Sequence, residues 1–418
     1  MDNARETYRS SADKAMYLAQ TALAQDPVAG TKSFATPVQA VKESSSRIAF
    51  ADALRATAIL AVVACHLGLR THVRVLGHGV GLTWLGLWAV DCFFVLTGYL
   101  LSKPFLRAIA DEAEFPSTRL FLARRFFRIY PLYFVTVIVS ATAEIAFGTV
   151  PAIGDLISHL TMTHGFFPEF ISGLNAPLWT MSVDAQFYLA LPIVAYGAMK
   201  LLSRVDSASR DRAIWIGLAG IVLFSVAERA LALTLSLGHF GDQDYKFVVS
   251  RNVLGMSGDF AIGIAFAFRE MRVPKPTQKR FVYVAMVCGS MVLLVTLIPL
   301  AEASRHLSTQ LFANSVIDLV GGISAGLLLH GCSRGSFAGL VRIVRSRWVA
   351  TIAVLSYGIY LFHDLYIWHI GLLFDGKLTA PSHFVLFAFG VMIPIVVTAW
   401  AGHALVERRF LVLRDKQR

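Results

Sequence analysis

An all-α bundle of about ten membrane-spanning helices, with both termini in the cytoplasm, is the fold class that three observations predict. The first is composition: of 418 residues, 56% are hydrophobic and only 16% charged, with a mean hydropathy of +0.61, whereas soluble chains carry about a quarter charged residues. The second is segmentation. Apolar runs near the roughly 20 residues needed to cross a hydrocarbon core lie at about 50–69, 86–106, 127–147, 177–199, 213–236, 251–268, 281–300, 313–332, 349–372 and 384–406. The third is charge placement. With the N-terminus inside, 31 of the 38 Lys and Arg residues fall in cytoplasmic segments and six in outside segments, while Arg229 lies within a span. Such an asymmetry is the positive-inside pattern. It accounts for the net charge of +11 without a nucleic-acid partner.

In chain order, residues 1–46 are rich in Ala, Ser, Thr and Gln and read as a flexible cytoplasmic extension. No long uncharged apolar run follows the early basic residues, so no cleavable signal peptide is expected. A membrane domain over 47–410 follows, then a basic cytoplasmic tail over 411–418. The four cysteines sit within or at the ends of apolar runs with no Cys-x-x-Cys spacing, which suggests neither a disulfide framework nor a metal site. The longest outside segment, about 148–176, carries His164, Phe166, Phe167, Glu169 and Asn175. It is a candidate external lid or acceptor platform, although its aromatic residues suit interfacial anchoring equally well.

Several spans carry ionisable groups. Arg55 and His66 in the first are eleven residues apart, about 20° beyond three full turns, so they share a helix face at a rise of about 16 Å. With Arg55 at the interface, His66 lies near mid-membrane, where a histidine is either a functional group or a hydrogen-bonded packing residue. In the second span, Asp91 is an acid that could orient a histidine by accepting its ring N–H. At the start of the third, Arg124, Arg125 and Arg128 can converge on one anion, since residues three and four apart are neighbours on a helix, or can anchor that helix at the inner interface. The fourth opens with Trp179 and carries Ser182, Asp184, Gln186 and Tyr188 within about two turns. Such polar density needs a protein or water-filled surround. In the ninth, Ser356, Tyr360 and His363 fall on one face, as a buried hydrogen-bond network or as a second site histidine. Among Glu144, Glu228, Arg229, Asp259 and Asp318 the sequence gives no ground for choosing.

These stretches resemble acyltransferase family 3, a family of multi-pass membrane acyltransferases, over roughly residues 47–410. The resemblance rests on Arg55 followed after ten residues by His66, on Val90 to Gly98, on Arg125-Phe-Phe-Arg128, on Leu178 to Tyr188, on Leu355 to His363 and on Glu407. Three departures stand out. Asp184-Ala185 replaces a common Glu-Glu, Asp364 stands where proline is frequent, and Glu407-Arg-Arg-Phe410 lacks a nearby proline. The last two read as matters of packing.

The resemblance implies an O-acyltransferase of the cytoplasmic membrane. It would move an acyl group, above all acetyl, from acyl-coenzyme A to a hydroxyl of a carbohydrate or another cell-envelope or secondary-metabolite acceptor. It implies catalysis by His66 with Arg55 and Asp91, and donor binding by Arg124, Arg125 and Arg128. Trp179, Ser182, Asp184, Tyr188, Ser356, His363 and Glu407 would support or bind substrate. No permanently bound cofactor is expected, acyl-coenzyme A being a co-substrate. Direct attack and a transient acyl-histidine both remain open. The competing class is a transporter or flippase using an intramembrane His/Asp relay, disfavoured by the lack of a convincing internal repeat.

Overall fold

The computed structural model describes residues 37–71, 82–235, 248–273, 307–333, 346–374 and 381–415, with isolated positions between 284 and 293. The chain divides into Met1–Ala49 and Phe50–Arg418, and the features below belong to the second unit. Its elements are α1 (Pro37–Thr71, entering this unit at Phe50), α2 (Thr83–Ala110), α3 (Thr118–Ala146), α4 (Ile153–Leu160), α5 (Pro168–Ile171), α6 (Trp179–Leu202) and α7 (Ser207–Leu235). They are followed by α8 (Ser257–Arg272), α9 (Leu307–Ser333), α10 (Arg347–Leu372), α11 (Pro381–Gly402) and α12 (Arg408–Asp415). No strand occurs among the described residues.

Eight helices among the described residues are long and apolar enough to cross a membrane, and they coincide with eight of the ten expected stretches. The expected span at 281–300 lies outside the described residues apart from isolated positions. The one at 251–268 is corrected. Its helix begins only at Ser257 and has 16 residues, about 24 Å of rise against a core of about 30 Å. The cause is local: Asn252 Oδ1 accepts from the backbone N–H groups of Leu254 and Gly255 at 2.8 and 3.1 Å, a side-chain turn that competes with helix.

Glycine and alanine set the closest packing. A Cβ on Gly98 of α2 would collide with the Phe260 carbonyl of α8, and one on Gly263 of α8 would collide with the Val95 carbonyl of α2. The two backbones therefore touch, as small residues allow between membrane helices. Gly358 of α10 meets Ala399 of α11 in the same manner. Leu189, Ile193, Leu223, Phe389, Ile393 and Trp400 point outward and exposed. An apolar girdle of that extent marks a lipid-facing surface, consistent with an integral membrane protein.

The segment between α3 and α6 is folded rather than loose. Tyr130 and Tyr133 of α3 donate to the carbonyls of Leu160 and His159 at 3.0 and 2.7 Å. Asn175 Nδ2 donates to the Leu361 carbonyl of α10 at 2.9 Å, so the segment is tied to two membrane helices at once.

Candidate active site

A cavity of about 360 Å³ opens between α1, α2, α3, α6 and α10. Three guanidiniums line it: Arg55, Arg125 and Arg128. Each is held differently. Arg55 Nη1 lies 3.2 Å from Asp52 Oδ1, and Arg128 Nη1 lies 2.8 Å from the buried Glu407. Arg125 sits over the Phe121 ring at 6.0 Å, and its Nε has no hydrogen-bond partner among the described residues.

Glu407 is fixed by a wide helical turn. Residues His403–Glu407 form a π-helix between α11 and α12, a distortion frequent at functional sites. His403 Nδ1 lies 2.9 Å from the second Glu407 oxygen, so the carboxylate joins α3 to the C-terminal segment. Asp184, Tyr188, Ser356, Tyr357 and Tyr360 complete the polar wall. Ser356 donates to its own helix at Ala353, Tyr357 donates to the Ile129 carbonyl at 2.7 Å, and the Tyr360 hydroxyl lies 2.7 Å from both Thr180 Oγ1 and the Pro177 carbonyl. The stripe on α10 is thus largely hydrogen-bonded.

His66 lies beyond this cavity, among none of its lining residues. The link runs along α10: the Tyr360 ring is 5.6 Å from that of His363, and the His363 ring meets His66 edge-on at 4.7 Å and 87°. His363 is fully buried, and its Nδ1 donates to the Tyr360 carbonyl at 2.6 Å. His66 keeps about 24% of its side chain exposed and places Nδ1 2.7 Å from Asp364 Oδ1. Arg55 and His66 leave one helix in the order expected. Arg55 lines the cavity, whereas His66 adjoins it through Tyr360 and His363.

Four expected site residues sit elsewhere. Asp91 does not orient His66, whose carboxylate partner is Asp364. Asp91 instead presses on Gly321 of α9 and neighbours Asp259 and Asp318. In that buried group Asp318 pairs with Arg229 and lies 3.5 Å from Arg251. Arg124 is absent from the cavity lining; it is one residue, hence about 100°, away from Arg125, and Arg55 supplies the third guanidinium instead. Trp179 lies beneath Arg251, whose guanidinium is 5.7 Å from its ring. Ser182 is buried against Gly165 of the α3–α6 segment and receives Gln186 Nε2 at 3.2 Å.

In that segment the His159 and His164 rings stack at 4.0 Å, and His159 Nδ1 lies 2.8 Å from Asp155. Burial, then the adjacent His159 ring, lowers the His164 pKa from 6.5 to about 3. His164 is therefore a neutral packing group at ordinary pH.

A family model described as an acyltransferase domain matches residues 48–401. The chain belongs to acyltransferase family 3. It is 33% identical over 150 residues to the acyltransferase MdmB of Streptomyces mycarofaciens, covering 34% of this chain and 37% of that one. It is 24% identical over 333 residues to the peptidoglycan O-acetyltransferase OatA of Listeria monocytogenes, covering 75% of this chain and 48% of that one. The chain thus spans less than half the length of either relative. No solved structure matches.

Within this family frame, the feature that sequence reasoning missed is Asp364, read there as a packing departure. The signal was available: an acid within an apolar span is a functional candidate by the same rule that singled out His66.

Proposed function

We propose that the protein is an O-acyltransferase of the cytoplasmic membrane that moves an acyl group, above all acetyl, from acyl-coenzyme A to a hydroxyl of a carbohydrate or another envelope or secondary-metabolite acceptor. The observation that carries this reading is the guanidinium-lined cavity ending against the Tyr360–His363 wall beside His66. The polyanionic coenzyme suits Arg55, Arg125 and Arg128, since guanidiniums bind phosphate oxygens through paired charge-assisted hydrogen bonds. The 31-to-6 split of Lys and Arg supports a cytoplasmic mouth for this cavity and cytoplasmic termini.

On this reading His66 removes the proton of the acceptor hydroxyl as its oxygen attacks the thioester carbonyl. The C–S bond breaks, and the proton passes to the departing coenzyme A sulfur. General-base catalysis of this kind contributes about 10² to 10⁴ in rate. Attack by His66 itself, through an acyl-histidine, uses the same nitrogen.

The buried group around Asp318 favours a second reading, a flippase or transporter, because intramembrane acids and bases also serve ion pathways. One assay separates the two. Purified protein given acetyl-coenzyme A and a hydroxyl acceptor should release free coenzyme A thiol in step with acyl transfer. Acceptor movement across vesicles without thiol release would overturn the transferase reading.

A further inference from the structure

We propose that Asp364 is the positioning residue of the transfer reaction, holding His66 in the tautomer whose Nε2 lone pair receives the acceptor's proton. The inference rests on the acyl-transfer reading above and deepens it by naming what sets up the base. It begins from the contact of 2.7 Å between His66 Nδ1 and Asp364 Oδ1. An ionised carboxylate has only lone pairs to offer, so the hydrogen in this bond is on Nδ1. A neutral imidazole carries one such hydrogen. Nε2 is then a bare lone pair, the form that a general base requires.

The neighbouring histidine makes the arrangement selective. His363 spends its own Nδ1–H on the Tyr360 carbonyl and so does not compete for Asp364. Its buried ring stands edge-on to His66 and obstructs the ring flip that would carry Nδ1 away from the carboxylate. His363 and Asp364 are consecutive on α10 and project about 100° apart, with the His66 ring of α1 received between them. The imidazole is thus packed by one residue and hydrogen-bonded by the next.

During transfer the acceptor O–H bond breaks and its proton goes to His66 Nε2. The oxygen pair forms the new bond to the acyl carbon, the C–S pair leaves with sulfur, and the proton follows from Nε2 to sulfur. Between those events the ring is a cation, and the Asp364 carboxylate beside it offsets that charge, the role a buried acid plays toward the histidine of a hydrolase triad. In an acyl-histidine route the same tautomer exposes the same nucleophilic nitrogen.

A plain structural tie between α1 and α10 would use the same hydrogen bond, and substitution separates the two roles. Asp364→Asn keeps size and hydrogen-bonding capacity but removes the carboxylate. Asp364→Glu keeps the carboxylate but changes its reach. Positioning predicts that the Asn variant loses about 10² to 10⁴ in kcat at unchanged acetyl-coenzyme A affinity, with Glu recovering part of the loss. A tie predicts the opposite order, with Asn near parent and Glu worse.

Nitrogen NMR of histidine-labelled protein in bilayers, with the His66 signals assigned by their loss in His66→Gln, reads the tautomer without reference to turnover. Hydrogen on Nδ1 in the parent and its redistribution in Asp364→Asn are expected. Hydrogen on Nε2 in the parent, or a near-parent kcat in Asp364→Asn, overturns the proposal whatever the other variants do. Persisting transfer by His66→Ala would instead overturn the acyl-transfer role of His66, so the two failures are distinguishable.

Discussion

Two regions of this bundle bury ionisable side chains at membrane depth, and they solve the electrostatic problem in opposite ways. Around Asp318 the answer is neutralisation. Arg229 pairs with it and Arg251 lies near, all of them largely or wholly buried, while Gly321 and Gly322 of α9 let Asp91 and Asp259 press against the helix. Around His66 the answer is a single carboxylate hydrogen-bonded to the ring, both partly exposed. The first arrangement ties α2, α7, α8 and α9 together. The second leaves a nitrogen accessible to chemistry.

The difference predicts that damage to each region shows in a different measurement. Arg229→Ala should be the most disruptive change, because removing one partner of a buried ion pair leaves an uncompensated charge at a cost of about 3 to 5 kcal/mol. Thermal unfolding in detergent and yield from the membrane should both fall, whereas Asp364→Asn should leave them near parent. Equal yield and unfolding temperature in Arg229→Ala would erase the distinction between a sealed tie and an open site.

Arg125→Ala and Arg128→Ala sharpen the comparison from the cavity side. Each removes a charge-assisted contact worth about 1.5 to 3 kcal/mol, so the apparent Kd for acetyl-coenzyme A should rise about 10- to 150-fold, with Arg125→Ala folded as the parent and Arg128→Ala less stable because the buried Glu407 loses its guanidinium. Arg124→Ala, outside the cavity lining, should bind as the parent does. Parent-like binding by all three would reduce the arginines to membrane-interface anchors.

A pH-dependent effect belongs to the α3–α6 segment. His164 has a folded-state pKa of about 3 against an ordinary 6.5. The folded form therefore binds fewer protons than the unfolded form between those values, and its stability is full above about 6.5 and declines as pH falls toward 3. The slope approaches about 1.4 kcal/mol per unit at most. Protection factors for hydrogen exchange over 153–171, taken relative to the intrinsic rate at each pH, should fall between pH 6.5 and 4.5 in the parent, and His164→Phe should flatten that dependence. An unchanged profile in His164→Phe would place the sensitivity on another group.

Much of this architecture was legible because lipid imposes simple rules. A run of about 20 apolar residues can only be a helix there, and Arg55 and His66 revealed themselves through the 3.6-residue period. What failed were inferences across helices. Residue type offered Asp91 as an acid able to orient a histidine, but residue type says nothing about azimuth, and Asp91 turns toward Gly321. Asp364 read as a matter of packing because its neighbour His363 occupies a different face, and only a second helix, α1, lying between the two faces brings both to one ring. The start of α8 depended on the Asn252 side chain capturing backbone N–H groups, a local bond that hydropathy does not register.

The central claim is that His66 Nε2 moves the proton, and His66→Gln tests it most directly. Glutamine keeps hydrogen-bonding capacity and approximate size but offers no titratable nitrogen. The variant should express, bind acetyl-coenzyme A as the parent does, and transfer no acyl group above background, since positioning survives while proton transfer is lost. Transfer at near-parent rate by His66→Gln would contradict the account, make His66 a packing histidine and leave His363 as the next candidate base.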